Sequence, residues 1–287
     1  MKDRFRYPQF EALTVGKNKK DQSLNEDLWV TSKDTFAVVD GSKPRIPLDF
    51  RGKSGAQFAA EAVRIVLLNT NSSVNGAELV GKITEKLNER IDKIGFREVV
   101  NKNPLARPAA LFSCARITGE EITITALGDV GVKVNGKVVH SQSFETEEAM
   151  AEKRIQAMQK AYKKNPHLSA DELFKIGVEA ISRALKQQYK YFNNSNSELG
   201  LGIIDGNVVP EKFIKVYKFD LRDVKSIEIF SDGYFILPDT QEIKDWERGF
   251  TEGEEADPLR WRKYPAVKGA FKDNFSDDRT ILIVKFT

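Results

Sequence analysis

Aspartates recur in this chain where an apolar run starts or stops. Asp40-Gly41 closes the run Phe36-Ala-Val-Val39, and Asp129 follows Thr123-Ile-Thr-Ala-Leu-Gly128. Asp232-Gly233 follows Ile227-Glu-Ile-Phe-Ser231, Asp277-Asp278 precedes Arg279-Thr-Ile-Leu-Ile-Val284, and Asn25-Glu26-Asp27 precedes Leu28-Trp29-Val30. Strand ends are rigid mounts, so carboxylates placed there are held in fixed geometry. Carboxylates from separate strands repel one another unless cations sit between them, and such a set is what a two-metal site requires. Taken singly, each Asp-Gly is more simply a turn dipeptide. Their ordered recurrence favours a constellation.

Composition narrows the chemistry further. One cysteine and two histidines among 287 residues exclude a zinc cluster of sulfur and imidazole ligands, and leave little for a His-based triad. Any metal would be a hard cation bound by oxygen. Cys114 has no partner for an internal disulfide, which predicts a reducing, cytoplasmic setting. The segment Met1 to Phe10 is charged from Lys2 onward and lacks an apolar signal core. No apolar run reaches the roughly 20 residues that cross a bilayer, so no membrane association is expected. Forty-five basic residues against 42 acidic ones give a net charge of +3, without the basic stripe that tracks nucleic acid. A carboxylate two-metal nuclease is disfavoured on that ground.

The elements that must position these aspartates alternate in kind. An apolar strand at 35–39 leads through a loop with Pro44, Pro47 and Gly52 into a helix over 56–68. A second helix is predicted over 76–94, where Leu79, Ile83, Leu87 and Ile91 recur every four residues. Runs at 110–117 and 121–126 read as a hairpin, and Asn135-Gly136 inside 131–139 marks another. Charged helical stretches occupy 144–192, broken at Asn165-Pro166, with Ser169 and Glu172 spaced as a capping box. Strands are expected again at 201–204 and 208–209, about an Asp205-Gly206 hairpin turn, then at 214–219, 226–230 and 280–286. The segment 252–277 reads as a polar loop with a short helix. The pattern predicts one α+β domain over 1–287 with a helical insertion at about 145–192.

The ordered motifs resemble those of the metal-dependent protein phosphatases, the protein phosphatase 2C-like family, in a divergent bacterial-type form. The elements that carry the resemblance are Asn25-Glu26-Asp27, Val38-Val39-Asp40-Gly41, Pro108-Ala109-Ala110, Leu127-Gly128-Asp129, Ser231-Asp232-Gly233 and Asp277-Asp278-Arg279-Thr280, from about residue 20 to the C-terminus. The resemblance implies a four-layer α/β/β/α sandwich of two antiparallel sheets flanked by helices. It implies two Mg²⁺ or Mn²⁺ ions, with Asp40 bridging both, the Gly41 carbonyl on one, and Asp232 and Asp277 completing the other's shell; adjacent Asp278 is the alternative to Asp277. Glu26 or Asp27 would hold metal-bound waters, and Asp129 would serve a third, looser site. Asp40 and Asp232 would then be catalytic through a metal-bridging hydroxide that attacks a phosphomonoester, most naturally phosphoserine or phosphothreonine in a phosphorylated protein. That chemistry needs neither Cys nor His as nucleophile.

Three departures bear on activity. Gln22 stands where the family carries a phosphate-binding Arg, and an amide brings no charge to that contact. Arg45, or Lys19, Lys20 or Lys43, would have to compensate, although each alone is more simply a solvated surface charge. After Gly41 the chain runs Ser42-Lys43-Pro44-Arg45 in place of a Gly-Gly loop, and Val130 replaces a Ser after Asp129. His140 and His167 lie at a strand end and in the insertion, where structural roles are expected. The insertion occupies the place of the family's flap, and reads equally as an extra helical layer on the sheet. The alternative function is a catalytically weak phosphatase-like module that binds a phosphorylated partner.

Overall fold

The computed structural model describes residues 8–286. The charged N-terminal run read above therefore lies largely outside the described residues. Ten strands form two five-stranded antiparallel sheets. The first has the order β1 (Pro8–Val15), β10 (Arg279–Phe286), β9 (Ser226–Phe230), β6 (Gly131–Val134) and β7 (Lys137–His140). The second has the order β2 (Leu28–Thr31), β3 (Thr35–Ser42), β4 (Ala109–Thr118), β5 (Glu121–Leu127) and β8 (Ile214–Asp220).

Period-two alternation explains why these strands read as unbroken apolar runs. In β3, Phe36 and Val38 point between the sheets, while Ala37 and Val39 point to a helical layer. In β10, Leu282 and Val284 point between the sheets, while Ile281 and Ile283 meet α6 (Ile243–Ala256) through Trp246 and Phe250. Opposite, α1 (Gly55–Asn69) and α2 (Gly76–Lys93) cover the second sheet, burying Phe58, Val63, Leu79, Ile83, Leu87 and Ile91. The fold is the expected four-layer α/β/β/α sandwich.

Local capping signals account for two of the helix starts. Ser54 and Gln57 form a capping box on α1, and Ser169 and Glu172 form one on α5 (Ala170–Gln187). A short α3 (Arg97–Lys102) follows α2. The end of α1 is held from below by Arg116 of β4, which is wholly buried. Its guanidinium donates to the carbonyls of Val74 (2.7 Å), Leu67 (3.3 Å) and Thr70. Arg116→Met strands those buried acceptors, each worth about 1–3 kcal/mol when unsatisfied, and is expected to destabilise the protein by roughly 2–4 kcal/mol in urea unfolding.

Two segments depart from the sequence reading. Residues 201–204 and 208–209 form no strands; Leu201 and Ile204 make only isolated bridges, to Phe192 and Ala110. The cause is side-chain competition for the backbone: Asn193 and Asp205 accept from local main-chain N–H groups at Ile203 and Asn207. Asp205-Gly206 is thus a buried turn, with Asn193 and Asn207 amides also on its carboxylate, and no hairpin. The second departure is α6, which spans 14 residues and ends at Ala256, before most of the stretch read as loop. No helix among the described residues is long and apolar enough to cross a membrane.

Candidate functional site

Register brings the motif residues to one end of the sandwich. In the first sheet, the end of β1 lies beside the start of β10 (Val15 against Arg279), and the end of β9 beside the start of β6 (Phe230 against Gly131). Lys17, Asp277-Asp278, Asp232 and Asp129 therefore share that edge. In the second sheet, Leu28 opposite Val39 and Phe112 opposite Leu127 put Asp27, Asp40 and the Gly128-Asp129 turn at the matching edge. Two glycines allow the close approach. A Cβ on Gly41 would sit 2.5 Å from the Glu26 carbonyl oxygen, and one on Gly233 would sit 2.0 Å from the Asp278 carbonyl oxygen.

The small polar residues of the motifs tie the pieces together. Ser231 Oγ donates to Asp27 Oδ2 at 2.6 Å and accepts from the Thr280 N–H at 2.9 Å, joining three motifs. Asn25 Oδ1 accepts from the Asp27 N–H. Glu26 accepts from Ser54 Oγ at 2.8 Å and from Lys17 Nζ at 3.3 Å. His140, buried, bonds the Gly128 carbonyl at 2.8 Å and so braces the Asp129 turn; burial keeps it below its ordinary pKa. His167 is exposed in the loop between α4 (Glu145–Lys164) and α5. Cys114 is buried, which pushes its thiol up to about 12, so it is no thiolate nucleophile at neutral pH.

Asp40, Asp129, Asp232 and Asp277 line one cavity of about 350 Å³, with Glu26, Gly41, Asp278, Lys17, Arg45, Glu147 and Lys268 also on its wall. Burial first, and mutual repulsion second, hold the carboxyls of Asp27, Asp40 and Asp129 well above the ordinary aspartate range. Asp232 is raised likewise by burial. Oδ1 of Asp129 and Oδ1 of Asp232 are buried without a hydrogen-bond partner. Asp277 differs: burial would raise it, but Lys268 and Lys17 hold it below its ordinary value.

The two lysines were not legible as site residues. Lys17, just past β1, donates its main-chain N–H and its ammonium to the two oxygens of Asp278, each at 2.7 Å. Lys268 comes from the loop between α6 and β10; its ammonium pairs with Asp277 Oδ2 and lies 3.6 Å from Asp232 Oδ2. Among the described residues, no three Asp, Glu, His or Cys side chains close into a compact metal-ligand group. The acidic side chains are instead spread about these ammonium groups. In kind the donors fit hard divalent cations, since all are oxygens and two buried ones are unpartnered.

Gln22 points away from this cavity. Its amide brackets a loop, accepting from the Gly16 N–H (2.7 Å) and donating to the Asn18 carbonyl (2.7 Å). Arg45 lies on the cavity wall, donating to Gln188 Oε1 at 3.1 Å, and Gln188 in turn donates to Glu147 of α4. Helices α4 and α5 do not form a further layer on a sheet. They pack on each other and on the loop after α6, through Met158, Leu173, Leu259 and Trp261, and α5 roofs the cavity with Phe174, Val178, Ile181 and Leu185.

No protein-family model matches the sequence, and no curated protein matches it. Solved structures do match its backbone. The Mycobacterium tuberculosis serine/threonine phosphatase PstP/Ppp superposes with a TM-score of 0.50 at 12% identity, covering 98% of this chain and 99% of that one. The chain has the fold of that phosphatase. A PstP catalytic domain in complex with two manganese ions (TM-score 0.47, 12% identity, 97% and 98% covered) and the S. agalactiae serine/threonine phosphatase (0.48, 14%, 98% and 100%) also align along nearly their whole lengths. At 12% identity the likeness to the PstP/Ppp structure shows the fold alone.

Proposed function

We propose that this chain is a divalent-cation-dependent phosphatase of the protein phosphatase 2C-like kind, one domain with α4 and α5 as its flap, acting on phosphomonoesters. The observation that carries the reading is the convergence of Asp40, from within β3, and of Asp129, Asp232 and Asp277, from beside the ends of three other strands, into one roofed cavity, with two buried carboxylate oxygens unpartnered. Asp40, the Gly41 carbonyl, Asp232 and Asp277 are the residues that would hold two Mg²⁺ or Mn²⁺ ions, and Asp129 with Asp232 a third. Such ions, when bound, activate a water for attack on phosphorus and neutralise the phosphoryl oxygens. Asp278, whose oxygens Lys17 engages, stands as the alternative to Asp277, whose oxygens are engaged by Lys268 and by the Asp278 N–H. Glu26 and Asp27, fixed by Ser54 and Ser231, would orient waters at the edge of the site. With Gln22 committed to its own loop, Arg45 is the residue at the cavity that would meet the substrate phosphate, aided by neighbouring Lys43.

A phosphorylated serine or threonine in a protein suits an open-mouthed cavity with basic residues at its rim. Release of phosphate from a phosphothreonine peptide in Mn²⁺, and none in chelator, is the expected result. A folded protein without Mn²⁺-dependent turnover on any phosphopeptide or aryl phosphate would support the second reading, a phosphatase-like module that binds a phosphorylated partner. That reading is favoured by one specific feature, the ammonium of Lys268 among the carboxylates.

A further inference from the structure

We infer that Lys268 is an internal counter-cation of the carboxylate centre, holding Asp232 and Asp277 together until a divalent ion displaces its ammonium. The inference rests on reading the centre as a divalent-cation site. Lys268 is the cation nearest to both carboxylates, paired with Asp277 Oδ2 and 3.6 Å from Asp232 Oδ2. The field of Asp40 and Glu147 acts on it as well. An ammonium is a compact point charge with three donors, so it offsets part of the repulsion there, as a cation would. A divalent ion carries twice the charge into the same place, and the two cannot share it.

The surroundings of Lys268 suit a group that leaves. About half of its side chain is exposed, and it stands on a loop outside any helix or strand. Lys17 is its opposite: both its backbone N–H and its ammonium are bonded to Asp278, so it stays. The loop itself is gripped by the flap. Arg154 of α4 is fully buried and donates to the carbonyls of Leu259 (2.9 Å) and Ala266 (3.2 Å), and Phe174 of α5 stacks on Phe271 at 4.4 Å between ring centres. Placement of the Lys268 ammonium is therefore coupled to placement of the flap, so the residue sets how readily the centre loads rather than taking part in the reaction.

The test is Mn²⁺ binding to the full chain by titration calorimetry, with thermal unfolding in chelator, for wild type, Lys268→Met and Lys268→Arg. Lys268→Met is expected to bind Mn²⁺ about tenfold more tightly, the ratio one partly buried charge contact sustains. In chelator it should melt roughly 2–4 °C lower than wild type, and Mn²⁺ should raise its melting point by more. Lys268→Arg, which keeps the charge, should bind Mn²⁺ no better than wild type, and serves if the Met variant does not fold. Equal Mn²⁺ affinity in wild type and Lys268→Met, or weaker binding in the variant, overturns the inference while leaving the cation site standing. Absence of Mn²⁺ binding in all three proteins overturns the cation-site reading and the inference with it.

Discussion

Asp40→Asn is expected to lose at least ~10²-fold of Mn²⁺-dependent phosphatase turnover while making the protein more stable in chelator. The loss follows from position. Asp40 stands inside β3, opposite Leu111 of β4, and shares the cavity wall with Asp129, Asp232 and Asp277, so on the proposed reading it would help hold the ions. An amide offers one neutral oxygen where an anion with two is needed. The gain follows from electrostatics. Burial and the charges of Asp27, Asp232 and Asp129 all disfavour the ionised Asp40 carboxylate, with Lys268 only partly offsetting them. Removing that charge should stabilise the ion-free fold by about 1–2 kcal/mol in urea unfolding at neutral pH. In saturating Mn²⁺ the order should reverse, because wild type gains binding free energy that the variant cannot. A variant that is less stable in chelator and still active would remove Asp40 from the centre.

Gly233→Ala is expected to damage activity nearly as much without touching a charge. The added Cβ would lie 2.0 Å from the Asp278 carbonyl oxygen and 2.8 Å from Arg279 Cβ. The first obstacle is backbone, which cannot swing aside as a side-chain tip can. The Asp232 turn and the segment carrying Asp277 must then separate by about 1 Å or more, and misplacement on that scale costs roughly 10²-fold in rate. Overpacking of this kind also costs about 1–3 kcal/mol of stability. The split is readable in two measurements: kcat in saturating Mn²⁺, and the urea midpoint. Unchanged kcat in Gly233→Ala would mean that the two segments need not meet.

Much of this arrangement was legible because it is local. An aspartate at the end of an apolar run is visible in ten residues, and the order of such runs carried the resemblance from which the four-layer fold and the carboxylate set were expected. The Asn135-Gly136 hairpin and the Ser169–Glu172 cap are equally local, and both stand in the structure as read. The α6 helix carries a signal of the same local kind: Ile243, Trp246, Phe250 and Gly253 follow helical spacing, and the last three are buried. The edge strand β1 gives a weaker signal, since only part of it is covered.

What could not be read is the placement of long charged side chains by distant contacts. Lys268 sits in a loop whose position depends on Arg154, more than 100 residues earlier in the chain, and no nearby residue announces its destination. Lys17 and Asp278 are bonded across 261 positions. Gln22 shows the converse. Its place in the motif suggests a substrate contact, yet its amide is used within six residues, on Gly16. Arg45, by contrast, lies on the cavity wall.

Whether the carboxylate centre, loaded with a divalent ion, hydrolyses a phosphate ester decides what this protein does. The most direct measurement is the initial rate of para-nitrophenyl phosphate hydrolysis by the wild-type chain at neutral pH, in Mn²⁺ and in chelator. The predicted result is turnover in Mn²⁺ that chelator abolishes and Asp40→Asn lacks. Equal rates in Mn²⁺ and chelator, or none in either with the protein folded, would contradict it.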